Sequence, residues 1–302
     1  MKLDQLEHLL AIVEQGSLRA AARRLGTAQP ALTRSIRALE RELGGALFVR
    51  EASGMTLTDV GRRLHARASL IVTEARHARE EVAQALGRDE GAVVACLSIM
   101  PHVGMLPHAL REFRRRHPNI RMRLLEGLFP DVESALRDGT VDFYLGVAPQ
   151  EPLAPGLVMR KLFENTRTVV ARKGHPLANA RSLQDLADAE WATPSLGYRA
   201  EEDIVGLFRD HGLPPPKVVL AVRSALSLIV ALASTDLLAM LPSQWEGFPL
   251  TRGALDVIRI REVLPAPDIV LITRPGIPLT PAAEYFADVL LRHGVTSEVK
   301  VA

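Results

Sequence analysis

Gln29, Thr33, Arg34, Arg37 and Arg41 recur at helical spacing in a stretch that opens Ala-Gln-Pro and closes Arg-Glu-Leu. Wound as a helix, that stretch lines the five side chains along one face. Gln and Arg offer paired hydrogen-bonding atoms that match base edges in a DNA major groove, and Thr can touch a phosphate or a thymine methyl. Between residues 19 and 63, nine arginines (19, 23, 24, 34, 37, 41, 50, 62 and 63) stand against Glu40, Glu42, Glu51 and Asp59. That is a local charge of +5, while the 302-residue chain as a whole carries +2. Concentrated positive charge is what phosphate neutralisation needs. On an ordinary helix pair the same stripe would be a wet face and nothing more.

The elements that position these residues are legible around them. Leu3, Leu6, Leu10 and Val13 mark a helix over 3–14, which Gly16 ends. Ser17 is an N-cap for a second helix over 18–25, whose Ala21 and Ala22 permit close packing while Arg19, Arg23 and Arg24 can lie along a phosphate backbone. Gly26 makes the turn, Thr27 can cap, and Pro30 falls in the first turn of a third helix, where a missing N–H costs nothing. Leu32, Ile36, Leu39 and Leu43 are its buried stripe. Two short helices joined by a tight Gly-containing turn form a helix-turn-helix.

The run 9–14, Gly16-Ser17, Ala21-Ala22, Leu25, Gln29-Pro30-Ala31-Leu32, Ile36, Leu39-Glu40, Leu43-Gly44, Leu47-Phe48, Arg50 and Leu57-Thr58-Asp59-Val60-Gly61 resembles the LysR-type transcriptional regulators, over about sixty residues in one register. The resemblance implies that the third helix enters the major groove, and it carries base or phosphate roles to Gln29, Pro30, Thr33, Arg34 and Arg37. Ser17 and Arg19 join that set at the start of the second helix. Residues 47–50 and 55–57 look like a β-wing with Arg50 beside a phosphate or minor groove. Glu51 departs from the more basic residue common at that tip. The fold class implied is an N-terminal winged helix-turn-helix, a long linker helix, and a two-lobed α/β effector domain like the type II periplasmic binding proteins.

From 58 to 86 the chain lacks Pro, and Leu64, Ala68, Ile71, Ala75, Ala78, Val82 and Ala85 recur at steps of four and three. That heptad seam favours pairing with a second helix. A 3.6-residue period, with the helix lying on its own domain, would serve as well. A dimer, or a tetramer as the family implies, would give two readers for two half-sites of an inverted-repeat operator in double-stranded DNA. Contact with RNA polymerase is implied by the family in the same way.

Domains are expected at 1–58 (DNA-binding), 59–88 (linker) and 89–302 (effector), the last with lobes at 89–162 plus 268–302 and at 163–267. Beyond residue 87 strands (93–100, 120–126, 141–147) alternate with helices (104–117, 131–137), as in a parallel sheet. A second set follows: strands 166–172, 191–194, 218–222 and 237–241, with helices 199–211 and 225–233. Strand 269–273 and helix 281–293 close the chain. Ligands of such sheets sit beyond the carboxyl ends of strands, near helix N-termini that suit an anion. Those points are 98–102, 127–129, 147–148, 193–199 and 223–224. The family's effector cleft adds binding roles to Ser98, Met100, Pro101, His102, Phe129, Val147, Ser195 and Ser224, with Arg199 and Arg223 from charge alone. Capping is the competing role for Ser98 and Ser224, core packing for Met100 and Phe129, and simple surface exposure for His102.

The expected effector is a small organic acid bound non-covalently, with no metal and no other cofactor. No phosphate loop, dinucleotide fingerprint, nucleophile elbow or His-Glu-x-x-His is present, so catalysis is not expected. A transport-type solute receptor or an architectural DNA binder are the remaining alternatives. Cys96, the single cysteine, excludes an intrachain disulfide and reads as buried core. With no signal-peptide core and no apolar membrane-length stretch, a cytoplasmic location is expected, without a membrane partner.

Overall fold

The computed structural model describes residues 1–51, 54–194 and 199–295. It begins with three helices, α1 (Leu3–Gln15), α2 (Leu18–Arg24) and α3 (Gln29–Leu43). Leu6, Leu9 and Ile12 of α1 close on Ala21 and Ala22 of α2 and on Leu32, Ile36 and Leu39 of α3. Gly16 ends α1 at φ 67°, and the Ser17 hydroxyl accepts the Ala20 N–H at 3.2 Å to start α2. β1 (Phe48–Glu51) and β2 (Gly54–Leu57) pair antiparallel as the wing. Thr58 Oγ1 then accepts the Gly61 N–H at 2.9 Å and opens α4 (Asp59–Ala85), which at 1.5 Å per residue is about 40 Å long.

Leu64, Ala68 and Val72 complete the N-terminal core. Farther along, α4 rolls Thr73, His77 and Ala83 inward onto the C-terminal part of the chain, while Ile71, Ala78, Val82 and Ala85 stay exposed. The heptad seam is therefore divided. Its first two positions are filled within the subunit and most of the rest face outward, because a straight helix drifts about 20° per heptad from a 3.5-residue repeat.

The C-terminal part comprises β3 (Ala92–Leu97), α5 (Ile99–Gly104), α6 (Leu106–Arg116), β4 (Arg121–Glu126), α7 (Glu133–Arg137), β5 (Phe143–Val147) and β6 (Val158–Arg172). β7 (Glu190–Pro194), α8 (Arg199–Asp210), β8 (Lys217–Val222), α9 (Ala225–Ser234), β9 (Ala239–Pro242), β10 (Leu255–Ile258), β11 (Leu264–Thr273) and α10 (Pro281–Val295) follow. One curled sheet runs β10-β6-β11-β5-β3-β4, with β9 also on β6, and β7 pairs β8 in a second sheet. β3 lies parallel between β4 and β5, whereas β11 is antiparallel to both β5 and β6. The sheet is thus mixed rather than parallel throughout.

Phe113, Phe143, Leu145 and Phe286 fill the first lobe; Trp191, Ile204, Phe208 and Leu238 fill the second. A third cluster joins them: Ile99 and Val103 of α5 pack among Val170, Leu228, Leu232 and Trp245. The expected strand over 93–100 stops at Leu97, since α5 begins at Ile99 with Ser98 at its N-cap position. The helix expected over 104–117 is interrupted at Met105, because Pro107 has no N–H to give the Val103 carbonyl. β6 begins at Val158, eight residues before the expected strand. Its exposed first half, with Arg160 and Lys161, has no apolar run to announce it.

Gly61 sits against the Leu47 carbonyl oxygen, so close that a Cβ there would overlap backbone. Gly61→Ala is expected to push α4 off the N-terminal core and cost about 1–3 kcal/mol. Urea unfolding of the full chain measures this, and an unchanged midpoint would contradict the close approach.

Candidate functional site

The first candidate surface is the outer face of α3. Gln29, Pro30, Arg34 and Arg37 are exposed there, at the spacing that places them on one side of the helix. Thr33 is half-buried and donates its hydroxyl to the Gln29 carbonyl at 3.0 Å, so that hydroxyl is committed to the helix. Among the described residues Arg19, Arg34 and Arg37 make no ion pair, whereas Arg24 is paired with Glu14. Exposed guanidiniums without partners keep all their donors for a ligand. The Ser17 hydroxyl caps α2, which leaves its second lone pair and its proton for a phosphate. Arg50 lies in β1 of the wing.

The second candidate surface is the corner where β3, β4 and β5 end together. Leu97 pairs with Glu126 and with Leu145, so Ser98, Gly127 and Val147 stand at one sheet end. Ser98 is 1 % exposed, its N–H bonds Leu145 O at 3.0 Å, and its hydroxyl has no partner. His102 brings Nδ1 to 2.9 Å from the Ser98 carbonyl. Phe129 packs edge-on to Tyr144, whose hydroxyl donates to the Val147 carbonyl at 3.0 Å. Burial pushes that phenol well above its ordinary range, and neighbouring Cys96 adds to the effect. Gly146 has no room for a Cβ between the Tyr144 hydroxyl and Ser98. Met100 and Pro101 are buried, Met100 within the first-lobe core. Packing is the role the structure gives Met100.

The opposite lobe reaches this corner through α9. Ser224 is its exposed N-cap, accepting the Ser227 N–H at 3.5 Å. Sequence reasoning placed an anion here and missed that the protein supplies one. Glu126 Oε1 accepts the Ala225 N–H at 3.3 Å, and Arg223 pairs with Asp131 of the first lobe. The only signal was position, since Glu126 is the last residue of β4. Ser195 lies outside the described residues, and Arg199 opens α8. A cavity of about 270 Å³ lined by Trp245, Phe248, Arg252 and Arg259 contains none of these residues. The corner, where hydroxyl, aromatic and helix N-terminus converge, has the better chemistry for a small ligand.

Among the described residues no cluster of His, Cys, Asp and Glu could hold a metal, and no helix is long and apolar enough to cross a membrane.

Two family profiles match the chain. "Bacterial regulatory helix-turn-helix protein, lysR family" covers residues 3–62, and "LysR substrate binding domain" covers residues 66–294. The chain is 28% identical over 288 residues to the HTH-type transcriptional regulator GalR of Pseudomonas putida, covering 92% of this chain and 70% of that protein. It is 26% identical over 299 residues to an SDS degradation transcriptional activation protein of a Pseudomonas species, covering 96% and 95%. Among solved structures, full-length CbnR complexed with its target DNA superposes with a TM-score of 0.70 at 23% identity, covering 97% of this chain and 100% of that one. Full-length OxyR from Pseudomonas aeruginosa gives 0.70 at 23% identity, over 96% and 94%.

Cys96 lies under the corner at Ser98, its sulfur 2.9 Å from where a Cβ on Gly127 would sit. Burial, and then the charge of Glu126, push its thiol up to about 11. A raised pKa keeps the thiol protonated, and hence unreactive, at pH 8. The folded protein should leave a thiol-specific disulfide reagent unreacted at that pH, and guanidinium should release one thiol per chain. Equal rates in the two states would reject the buried assignment.

Proposed function

The chain belongs to the LysR family of bacterial transcriptional regulators, and from that membership we propose that its dimer reads an inverted-repeat operator through α3 and answers to a small organic acid held between its lobes. The observation that carries the DNA part is the α3 face, where Gln29, Pro30, Arg34 and Arg37 stand exposed and the two arginines make no ion pair among the described residues. Arg19 and Ser17 at the start of α2, and Arg50 on the wing, extend the contact to phosphates. The working parts are residues 1–58 as reader, 59–88 as linker and 89–302 as effector domain.

The second copy is expected on α4. Ile71, Val82 and Leu86 are 41%, 60% and 66% exposed along a helix whose other side is already covered. Apolar surface in a row is what a partner helix buries. Two α3 helices would then face successive major grooves, as two half-sites require.

The effector reading rests on the corner at Ser98. A hydroxyl that is buried and unpartnered is a group awaiting an acceptor or donor. Phe129 and Val147 offer apolar contact, and His102, Ser224 and Arg223 offer polar contact. Glu126 occupies the α9 N-terminus and Asp131 pairs with Arg223. An entering carboxylate or sulfonate must therefore displace Glu126. That exchange changes what ties the lobes together, which is how a ligand comes to prefer one lobe arrangement over another.

Arg34→Ala should weaken binding to an operator selected in vitro by about 1–3 kcal/mol and relax base preference at the contacted step. Unchanged footprints would remove the base contact. For the cleft, a thermal-shift and calorimetric panel of small aromatic and aliphatic carboxylates and sulfonates should yield one binder. Ser98→Ala should fold as well as the parent, since removing an unpaired buried hydroxyl is near neutral, yet lose affinity for that binder. Equal affinity of parent and variant would take Ser98 out of the site.

A further inference from the structure

α4 turns its sides in an unusual way. Its apolar residues Ile71 and Val82, and Leu86 at its C-cap, face out, and the stripe it lays on the C-terminal part of its own subunit is largely polar, with Thr73 and His77 buried beside Ala83. Under that stripe lies a compact set of ionisable side chains. His77 Nε2 is 3.1 Å from Asp142 Oδ1 and 3.0 Å from Arg76 Nη2, and Arg76 is itself held by both oxygens of Glu80. Glu74 Oε1 is 2.9 Å from Arg274 Nη1 and 3.6 Å from His77 Nδ1. Asp142 and Arg274 are only 2% and 9% exposed.

We propose that Glu74 and His77 of α4, with Asp142 and Arg274 of the effector domain, form a latch that fixes the register of the linker helix and passes the state of the cleft to it. The proposal relies on the cleft reading above only for what is passed. Buried ion pairs contribute little net stability, because desolvation offsets their attraction, but removing one partner strands the other at high cost. An apolar stripe could slide by a turn with small penalty. This set fits in one register alone.

The anchors lead to the ligand corner. Asp142 accepts the Val94 N–H at 2.7 Å and gives its own N–H to the Val94 carbonyl at 2.8 Å, so it clamps β3 to the start of β5. Both strands end at the corner of Ser98 and Val147, about 16 Å away at roughly 3.3 Å per residue. Arg274 follows β11, one of the two strands that cross between lobes. Movement at the cleft thus reaches Asp142 through β3 and β5, and movement between lobes reaches Arg274 through β11. Gly139, at φ 78°, leaves the space the latch needs: a Cβ there would sit 2.6 Å from Arg274 Nη1 and 2.9 Å from Thr73 Cγ2. A further tie is the Ala282 N–H at the start of α10, donated to Gln84 Oε1 at 3.0 Å.

The test is amide hydrogen exchange on the full-length protein, with neither DNA nor effector, so that its outcome stands apart from that of the regulatory reading. Glu74→Arg and Arg274→Glu should each speed exchange across 73–84 by about tenfold or more and also alter 94–104, while the doubly exchanged protein returns towards the parent. Gly139→Ala, which leaves every charge in place, should loosen 73–84 as the single reversals do. Circular dichroism checks that each variant folds. Parental exchange in both single reversals would overturn the latch, as would failure of the double exchange together with a silent Gly139→Ala. Loosening of 73–84 with no change at 94–104 would overturn the transmission to the cleft.

Discussion

The pairing of β6 with β11 is the constraint on which the effector domain depends. Each strand crosses between lobes once, and they hydrogen-bond to each other from Val158/Thr273 to Arg167/Leu264, with irregular register between Ala266 and Ile269. Because the crossings are one ladder, neither lobe can shear freely. What remains is bending at the irregular stretch, where Pro265 and Pro267 donate no hydrogen bond. A ladder with one irregular stretch is stiff against sliding and yields to bending, which is the kind of joint a hinge motion uses. Ile99 and Val103 add an apolar tie across the same joint. The charges at Glu126 and Asp131 are exposed partners of small individual worth, suited to being exchanged.

The linker helix solves a different problem. It packs into the N-terminal helical unit at one end and leaves an apolar row exposed farther along. One apolar stripe cannot be buried in its own subunit and face outward at once. The division seen here uses apolar area for the N-terminal core and the outward row, and polar specificity for the inward contact. Apolar contact contributes strength without direction, and paired ionisable groups contribute direction without much strength.

The N-terminal unit was nearly all legible from residue order, because its determinants are local. Caps such as Ser17 and Thr58, turn glycines such as Gly16, and a 3.6-residue stripe each act within a few positions. The contacts at the corner of β3, β4 and β5 were half legible. Ser98 and Ser224 announce helix starts, but which carboxylate meets the Ala225 N–H depends on a pairing ninety-nine residues apart. The charges beneath α4 were invisible for the same reason, since a His, a Glu, an Asp and an Arg scattered from 74 to 274 look like solvated surface until the chain is folded. Met100, for which residue order left ligand contact and core packing both open, packs in the first-lobe core. The first half of β6 and the start of β11 were missed because exposed, charged or Pro-containing edges carry no apolar signature.

The length of α4 has a mechanical meaning. His77 lies eighteen residues beyond Asp59, a lever of about 27 Å at 1.5 Å per residue. A tilt of roughly 7° about the buried charges moves the reader end by about 3.4 Å, one step of the base-pair ladder. A rotation of a few degrees at one end of α4 thus becomes, at the other, a displacement the size of one base-pair rise.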